Sequence, residues 1–177
     1  VQLNGGALEH ASDTMKGDKD VVMAVMQQNP EVLRHTKKDC VLAVLQQNGL
    51  ALQYVHPTLQ KPRKYSLAAV QQNGLALQFA SDDRKNDKKV VMAAVTQNGQ
   101  ALQFASAKLQ GKTLVVRAAV KRDGLAIRFA SEAMKNDKEI CNMAVDQNGA
   151  ALQYMTEQAQ NRPTVVMTAV EKDGFAL

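Results

Sequence analysis

Three histidines, two cysteines and a recurrent Asn-Gly step are the residues of this 177-residue chain whose types could do chemistry. His10 and His35 stand in a column otherwise held by Phe or Tyr, and His56 stands where Ser81, Ser106 and Ser131 recur. None has a Cys, Asp or Glu at metal-ligand spacing, and neither an HExxH nor a CxxC pattern occurs. Cys40 and Cys141 occupy apolar columns beside Val. A nucleophilic thiol needs a neighbouring base; none recurs in register, so both read as small buried hydrophobes. The Asn-Gly steps lack the spacing of a dinucleotide or phosphate loop and follow no strand. Asp18, Asp87 and Asp137 precede apolar runs and read as helix caps, not as paired catalytic carboxylates. No catalytic residue, metal ligand or cofactor is expected.

Two residue classes could instead bind. Gln recurs after the Leu of four units, at Gln53, Gln78, Gln103 and Gln153, and these with Arg128 form a candidate partner-binding ridge. A second Gln series precedes the Asn: Gln28, Gln47, Gln72, Gln97 and Gln147. Its plainer reading is a helix-forming residue that hydrogen-bonds between neighbouring units. Basic residues cluster at Arg34, Lys37 and Lys38; at Lys61, Arg63 and Lys64; at Arg84, Lys85, Lys88 and Lys89; and at Lys121, Arg122 and Arg128. The net charge is only +5, and Asp82, Asp83, Asp87, Glu132, Asp137 and Glu139 intersperse the same stretches. A nucleic-acid stripe needs cations that face one way.

The elements that must position these residues follow a 25-residue period. Asn48-Gly49, Asn73-Gly74, Asn98-Gly99, Asp123-Gly124, Asn148-Gly149 and Asp173-Gly174 recur at that spacing. Asn4-Gly5 lies 44 residues before Asn48-Gly49, and Asn29-Pro30 divides the gap into 25 and 19. Units therefore begin at residues 4, 29, 48, 73, 98, 123 and 148, and the second lacks six residues. Both ends fall inside a unit, so residues 1–177 are expected to be one array, itself a segment of a longer one.

Each unit reads as two short helices. In the fourth, Asp87 caps a helix over residues 88–97, which ends at Asn98-Gly99, residue types that tolerate the left-handed conformation. A second helix runs from Gly99 to about Ser106. Pro163 supports a helix start, as does Pro30, because proline suits the first helical position. Isolated helices of ~12–15 residues or fewer are marginal, so units must stack, burying their columns. Those columns are Ala69, Ala94, Ala119, Ala144 and Ala169; Leu8, Leu33, Leu52, Leu77, Leu102, Ile127 and Leu152; Val70, Val95, Val120, Val145 and Val170; and the rings Tyr54, Phe79, Phe104, Phe129 and Tyr154. The six missing residues predict a tight turn between Leu33 and a helix beginning near Asp39. Composition agrees: 45% apolar and 22% charged residues exclude bulk disorder, and 4% aromatics with no Trp disfavour aromatic strands. No apolar run approaches the ~18 residues of a membrane span. The expected fold is an all-α solenoid of seven to eight two-helix repeats, one shortened.

The stretch NDKKVVMAAVTQNGQALQFAS (residues 86–106) resembles the repeat family known as domain of unknown function 4116. That family shares the order Asp-Lys, Val-Val, Ala-Val, Gln-Asn-Gly, Ala-Leu and aromatic-Ala-Ser. Residues 73–160 match best; the short second unit and the third, with His56-Pro57 and Lys61-Pro62, depart most. The resemblance implies a helical repeat array and no activity, cofactor or catalytic residue. The expected function is a non-enzymatic scaffold that binds another protein or serves in a larger assembly. The alternatives are a nucleic-acid-binding array and the targeting segment of a longer enzyme or effector.

Overall fold

The computed structural model describes residues 10, 12, 14–26, 29, 32, 33, 36 and 38–173. Among these, the α-helices are α1 (Lys19–Met26), α2 (Lys38–Gln47), α3 (Pro57–Gln60), α4 (Arg63–Gln72), α5 (Asp82–Lys85) and α6 (Lys88–Gln97). They continue as α7 (Ala107–Gln110), α8 (Thr113–Arg122), α9 (Glu132–Lys135), α10 (Lys138–Gln147), α11 (Glu157–Gln160) and α12 (Pro163–Lys172). Between them lie six-residue 3-10 helices: Gly49–Tyr54, Gly74–Phe79, Gly99–Phe104, Gly124–Phe129 and Gly149–Tyr154. No strand occurs among the described residues. The chain is an all-α solenoid.

A full unit carries three helical segments where the sequence suggested two. The segment after Asn-Gly is a 3-10 helix, closed by three-residue bonds such as Ala101 N–H to the Asn98 carbonyl (3.0 Å) and Ala105 N–H to the Leu102 carbonyl (3.1 Å). A separate four-residue helix, such as α7, leads into the next long helix. Long helices pack on long helices of adjacent units and 3-10 helices on 3-10 helices, giving two layers. The Leu and Ala columns seal the space between them: Leu52, Leu77, Leu102 and Ile127, and Ala69, Ala94, Ala119, Ala144 and Ala169, are inaccessible to solvent.

The aromatic column departs from its expected burial. Tyr54, Phe79, Phe104, Phe129 and Tyr154 are only half-buried, packed against the core on one side. Each is the last residue of its 3-10 helix and so stands at the edge of its layer.

The Asn-Gly step also works differently from the sequence expectation. No described residue has positive φ. Asn98 is extended (φ −146°, ψ 113°); its N–H still bonds the Ala94 carbonyl at 2.8 Å, and its side chain caps the 3-10 helix through Gln100 N–H at 3.0 Å. Glycine follows because the next long helix comes too close for a side chain. A Cβ on Gly99 would stand 2.5 Å from the Ala119 carbonyl oxygen, and one on Gly124 or Gly149 the same distance from that of Ala144 or Ala169.

Asp18, Asp87 and Asp137 cap α1, α6 and α10 as expected, each accepting a bond from the first turn. Pro163 opens α12. In the shortened unit, Val32 and Leu33 are buried and α2 begins at Lys38; the tight turn expected between them falls largely outside the described residues. Pro30, Arg34, His35, Lys37 and Leu8 lie outside the described residues.

Candidate interaction surface

The two layers present different faces. On the 3-10 layer, Gln53, Gln103, Arg128 and Gln153 are exposed and Gln78 is half-buried, so the predicted ridge is one row at unit spacing beside the aromatic column. Three-residue periodicity places each side chain over its own helix. Gln53, Gln103 and Gln153 donate to the carbonyls of Leu50, Gln100 and Ala150 at 3.3, 3.1 and 3.1 Å. Arg128 does more. Its guanidinium lies 4.5 Å from the centre of the Phe129 ring and 6.0 Å from that of Tyr154, and Nη2 donates to Gln100 Oε1 at 2.5 Å. One side chain thus touches three successive units, with a cation over two rings.

The second Gln series is internal glue. Gln72, Gln97 and Gln147, each closing its unit, accept through Oε1 the N–H of Gly49, Gly74 and Gly124 at the start of the same unit at 2.8, 2.6 and 2.6 Å. Gln97 also donates to the Gln72 carbonyl. Where Arg122 replaces Gln, its Nε donates to the Gln97 carbonyl at 3.2 Å, and Gln100 turns to the Asp123 carboxylate.

The histidines, where described, are structural or solvated. His56 caps α3 by accepting from Thr58 N–H, and His10 is exposed. Cys40 and Cys141 are buried. Their thiols donate to the carbonyls of Gly17 (3.0 Å) and Lys135 (3.1 Å). Burial pushes the Cys141 thiol up to about 11, against the opposing pull of the Arg162 charge. No group of three or more His, Cys, Asp or Glu among the described residues could hold a metal ion, and no described helix is long and apolar enough to cross a membrane.

Two cations of the basic clusters, Arg63 and Arg84, have a carboxylate partner, as do Arg117 and Lys172 outside them. Asp87 pairs with Arg63 of the preceding unit at 2.6 Å and with Arg84 at 3.0 Å, Arg117 pairs with Glu139, and Lys172 with Asp146. Burial raises the Asp87 carboxyl, but the Arg63 hydrogen bond and the N–H groups of Lys89 and Val90 outweigh it and hold the group below the usual carboxylate range.

A longer period emerges from the fastening of the short helices. α3, α7 and α11 end in Gln60, Gln110 and Gln160, whose amides donate back to carbonyls of the preceding 3-10 segment, among them Leu52, Leu102 and Leu152. The intervening α5 and α9 end in Lys85 and Lys135, and the next long helix is capped by Asp87 or Asp137. After the Gln-ended helices the cap position holds Pro62, Lys112 or Arg162, with no side-chain cap bond. Units therefore alternate with a period of two. The residue columns carry this signal, Gln against Lys and Asp against Pro, Lys or Arg, but a search for a single 25-residue repeat averages it away.

The family model described as Domain of unknown function (DUF4116) matches residues 1–39, 37–83, 63–110 and 114–158. The chain belongs to the DUF4116 family. Three of the DUF4116 matches begin at or beside the start of a long helix, at 37, 63 and 114, and span nearly two units each. No curated protein and no solved structure matches the chain.

Proposed function

We propose that this chain is a non-enzymatic helical-repeat scaffold that docks another protein on its 3-10 layer. The observation that carries the reading is the continuous row of half-buried rings, Tyr54 to Tyr154, flanked by exposed Gln53, Gln103, Arg128 and Gln153. Tyr, Phe and Arg are the residue types enriched at protein interfaces. Rings held rigidly by the core lose little side-chain entropy when a partner covers them. A stack that sums identical units extends such a face without a separate fold for it. The ion pairs of Arg63, Arg84 and Arg117 favour protein over nucleic acid, since those cations already have carboxylate partners.

The test places a photo-crosslinking residue at Gln53, Gln103 or Gln153, and as controls at Thr96 and Lys121 on the long-helix layer. The chain is then irradiated in the cell that makes it. Protein adducts that concentrate at the three Gln positions, and that fall when Arg128→Ala is added to a normally folded chain, are expected. Equal adducts at both layers, no adducts, or adducts to nucleic acid would overturn the reading.

A further inference from the structure

Away from the 3-10 layer, a groove of about 540 Å³ opens beside the first turns of α6 and α8, lined by Asn86, Lys88, Lys108, Leu109, Lys112, Thr113 and Leu114. Three features set it apart from the same place in other units. Lys88, Lys108 and Lys112 are exposed, and none is paired with a carboxylate among the described residues, unlike Arg63, Arg84, Arg117, Lys135 and Lys172. Leu114 is 57% exposed at a position held by Lys64, Lys89, Glu139 and Thr164 in neighbouring units. It is the one apolar side chain among them. Leu109 below it is buried and gives the groove an apolar floor.

The equivalent cap residue one pair later, Arg162, is turned inward and donates to Asn136 Oδ1 at 2.9 Å. Lys112 makes no such bond to the corresponding Asn86 oxygen, which accepts from Ser106 as Asn136 accepts from Thr156. The Lys112 ammonium is left to solvent at the groove.

We infer that this groove docks a short acidic segment of a partner protein, with carboxylates against Lys88, Lys108 and Lys112 and an apolar side chain over Leu114 and Leu109. The inference rests on the scaffold reading and supplies the chemistry of one partner contact. Charge complementarity selects the occupant: three unpaired cations around an apolar lip match a peptide that alternates Asp or Glu with a large apolar residue. A nucleic-acid strand matches less well. One unit earlier Asp87 takes up Arg63 and Arg84 and Asp83 stands at the place of Lys108, and one unit later Asp137 and Glu139 stand at the places of Lys112 and Leu114, so carboxylates interrupt the cations along the stack.

A randomised dodecapeptide display library panned on the folded chain tests this, followed by anisotropy titrations with the enriched peptides and with a twelve-residue oligothymidylate. Enriched peptides should carry Asp or Glu around Leu, Ile or Phe, and Lys108→Glu with Lys112→Glu should weaken them by about tenfold or more, since each reversal exchanges an attraction for a repulsion. Lys112→Asp separates binding from folding. It restores to α8 the cap that Asp87 gives α6, so its unfolding midpoint should rise while peptide affinity falls. Leu114→Ser should weaken binding and leave the midpoint unchanged. Peptides without acidic residues, peptides insensitive to all these substitutions, no enrichment, or oligothymidylate binding as tight as peptide would each overturn the inference. Peptides that ignore the groove substitutions but respond to Arg128→Ala would leave the scaffold reading standing, whereas crosslinking without any protein adduct would remove that reading first.

Discussion

Gly99→Ala isolates the close approach of a 3-10 helix to the long helix that follows it. The new Cβ would lie 2.5 Å from the Ala119 carbonyl oxygen, 2.9 Å from Asp123 Cβ and 3.2 Å from Asp123 N. Ordinary contact begins near 3.4 Å, so the 3-10 helix and α8 must part by up to about 0.9 Å. The obstacle is backbone and a helix cap, which cannot swing aside as a side-chain end would. A gap of ~0.5–1 Å forfeits a quarter to a half of the dispersion energy across it, and overpacking costs about 1–3 kcal/mol. Against this, alanine lowers the unfolded chain's entropy, a gain of ~0.4–1 kcal/mol. The net expectation is a loss of about 2 kcal/mol. Gly111→Ala is the matched control. Its Cβ meets Ser131 Oγ at 3.4 Å and Ser131 Cβ at 3.7 Å, and its backbone (φ −99°, ψ 7°) suits alanine, so it should be neutral or stabilising by up to ~1 kcal/mol. Urea unfolding followed by circular dichroism reads both, and hydrogen exchange should localise the Gly99→Ala damage to the units around α6 and α8. Two results would refute the reasoning. One is the two variants agreeing within ~0.5 kcal/mol. The other is rescue of Gly99→Ala by Ala119→Gly, which removes a methyl group but leaves the offending carbonyl in place.

Leu102, inaccessible to solvent, should lose about 2–5 kcal/mol on truncation to Ala, whereas half-buried Phe104 should lose less than the ~3–5 kcal/mol of a core Phe; paired urea titrations give the order, and a larger loss at Phe104 would contradict its place at the layer edge. The Asp87 carboxyl is held below its ordinary value of 3.8 in the folded chain, so its stabilisation is present above that value and disappears as pH falls through the lowered one. Thermal melts between pH 6 and pH 2.5 should therefore show an acid-dependent loss that Asp87→Asn reduces, and identical profiles would exclude the Arg63–Asp87 link as its source. With its thiol pushed up to about 11 by burial, Cys141 should resist alkylation at pH 8 until the chain unfolds. Native-state labelling as fast as in guanidinium would show the site open.

The sequence by itself determined the features whose causes lie within one turn of a helix. The 25-residue period, the span Lys88–Gln97, the caps Asp18, Asp87 and Asp137, and proline at the start of α12 all follow from local rules for backbone groups at helix ends. The six-residue deficit of the second unit was countable, and the structure places α2 at Lys38, next to the expected start. Buried Leu and Ala columns followed from periodicity alone.

Tertiary structure decided what depends on residues 20 to 28 positions apart. Glycine after Asn is required at Gly99 by the Ala119 carbonyl of the following long helix and not by its own φ, and no local propensity contains that carbonyl. Gln72, Gln97 and Gln147 look like ordinary helix formers until the neighbouring Gly N–H arrives at their Oε1. The 3-10 conformation of Gly99–Phe104 leaves Phe104 at the layer edge, half-exposed, where hydropathy alone would bury it. The ridge residues were legible as a column, but the placement of Arg128 over two rings in successive units was not. Lys88, Lys108, Lys112 and Leu114 are scattered over 27 residues and share no repeat column; only the packing of α7 beside the first turns of α6 and α8 brings them to one groove. Local signals fix each helix because its hydrogen bonds close within it, and the surfaces between helices exist only once the stack has formed.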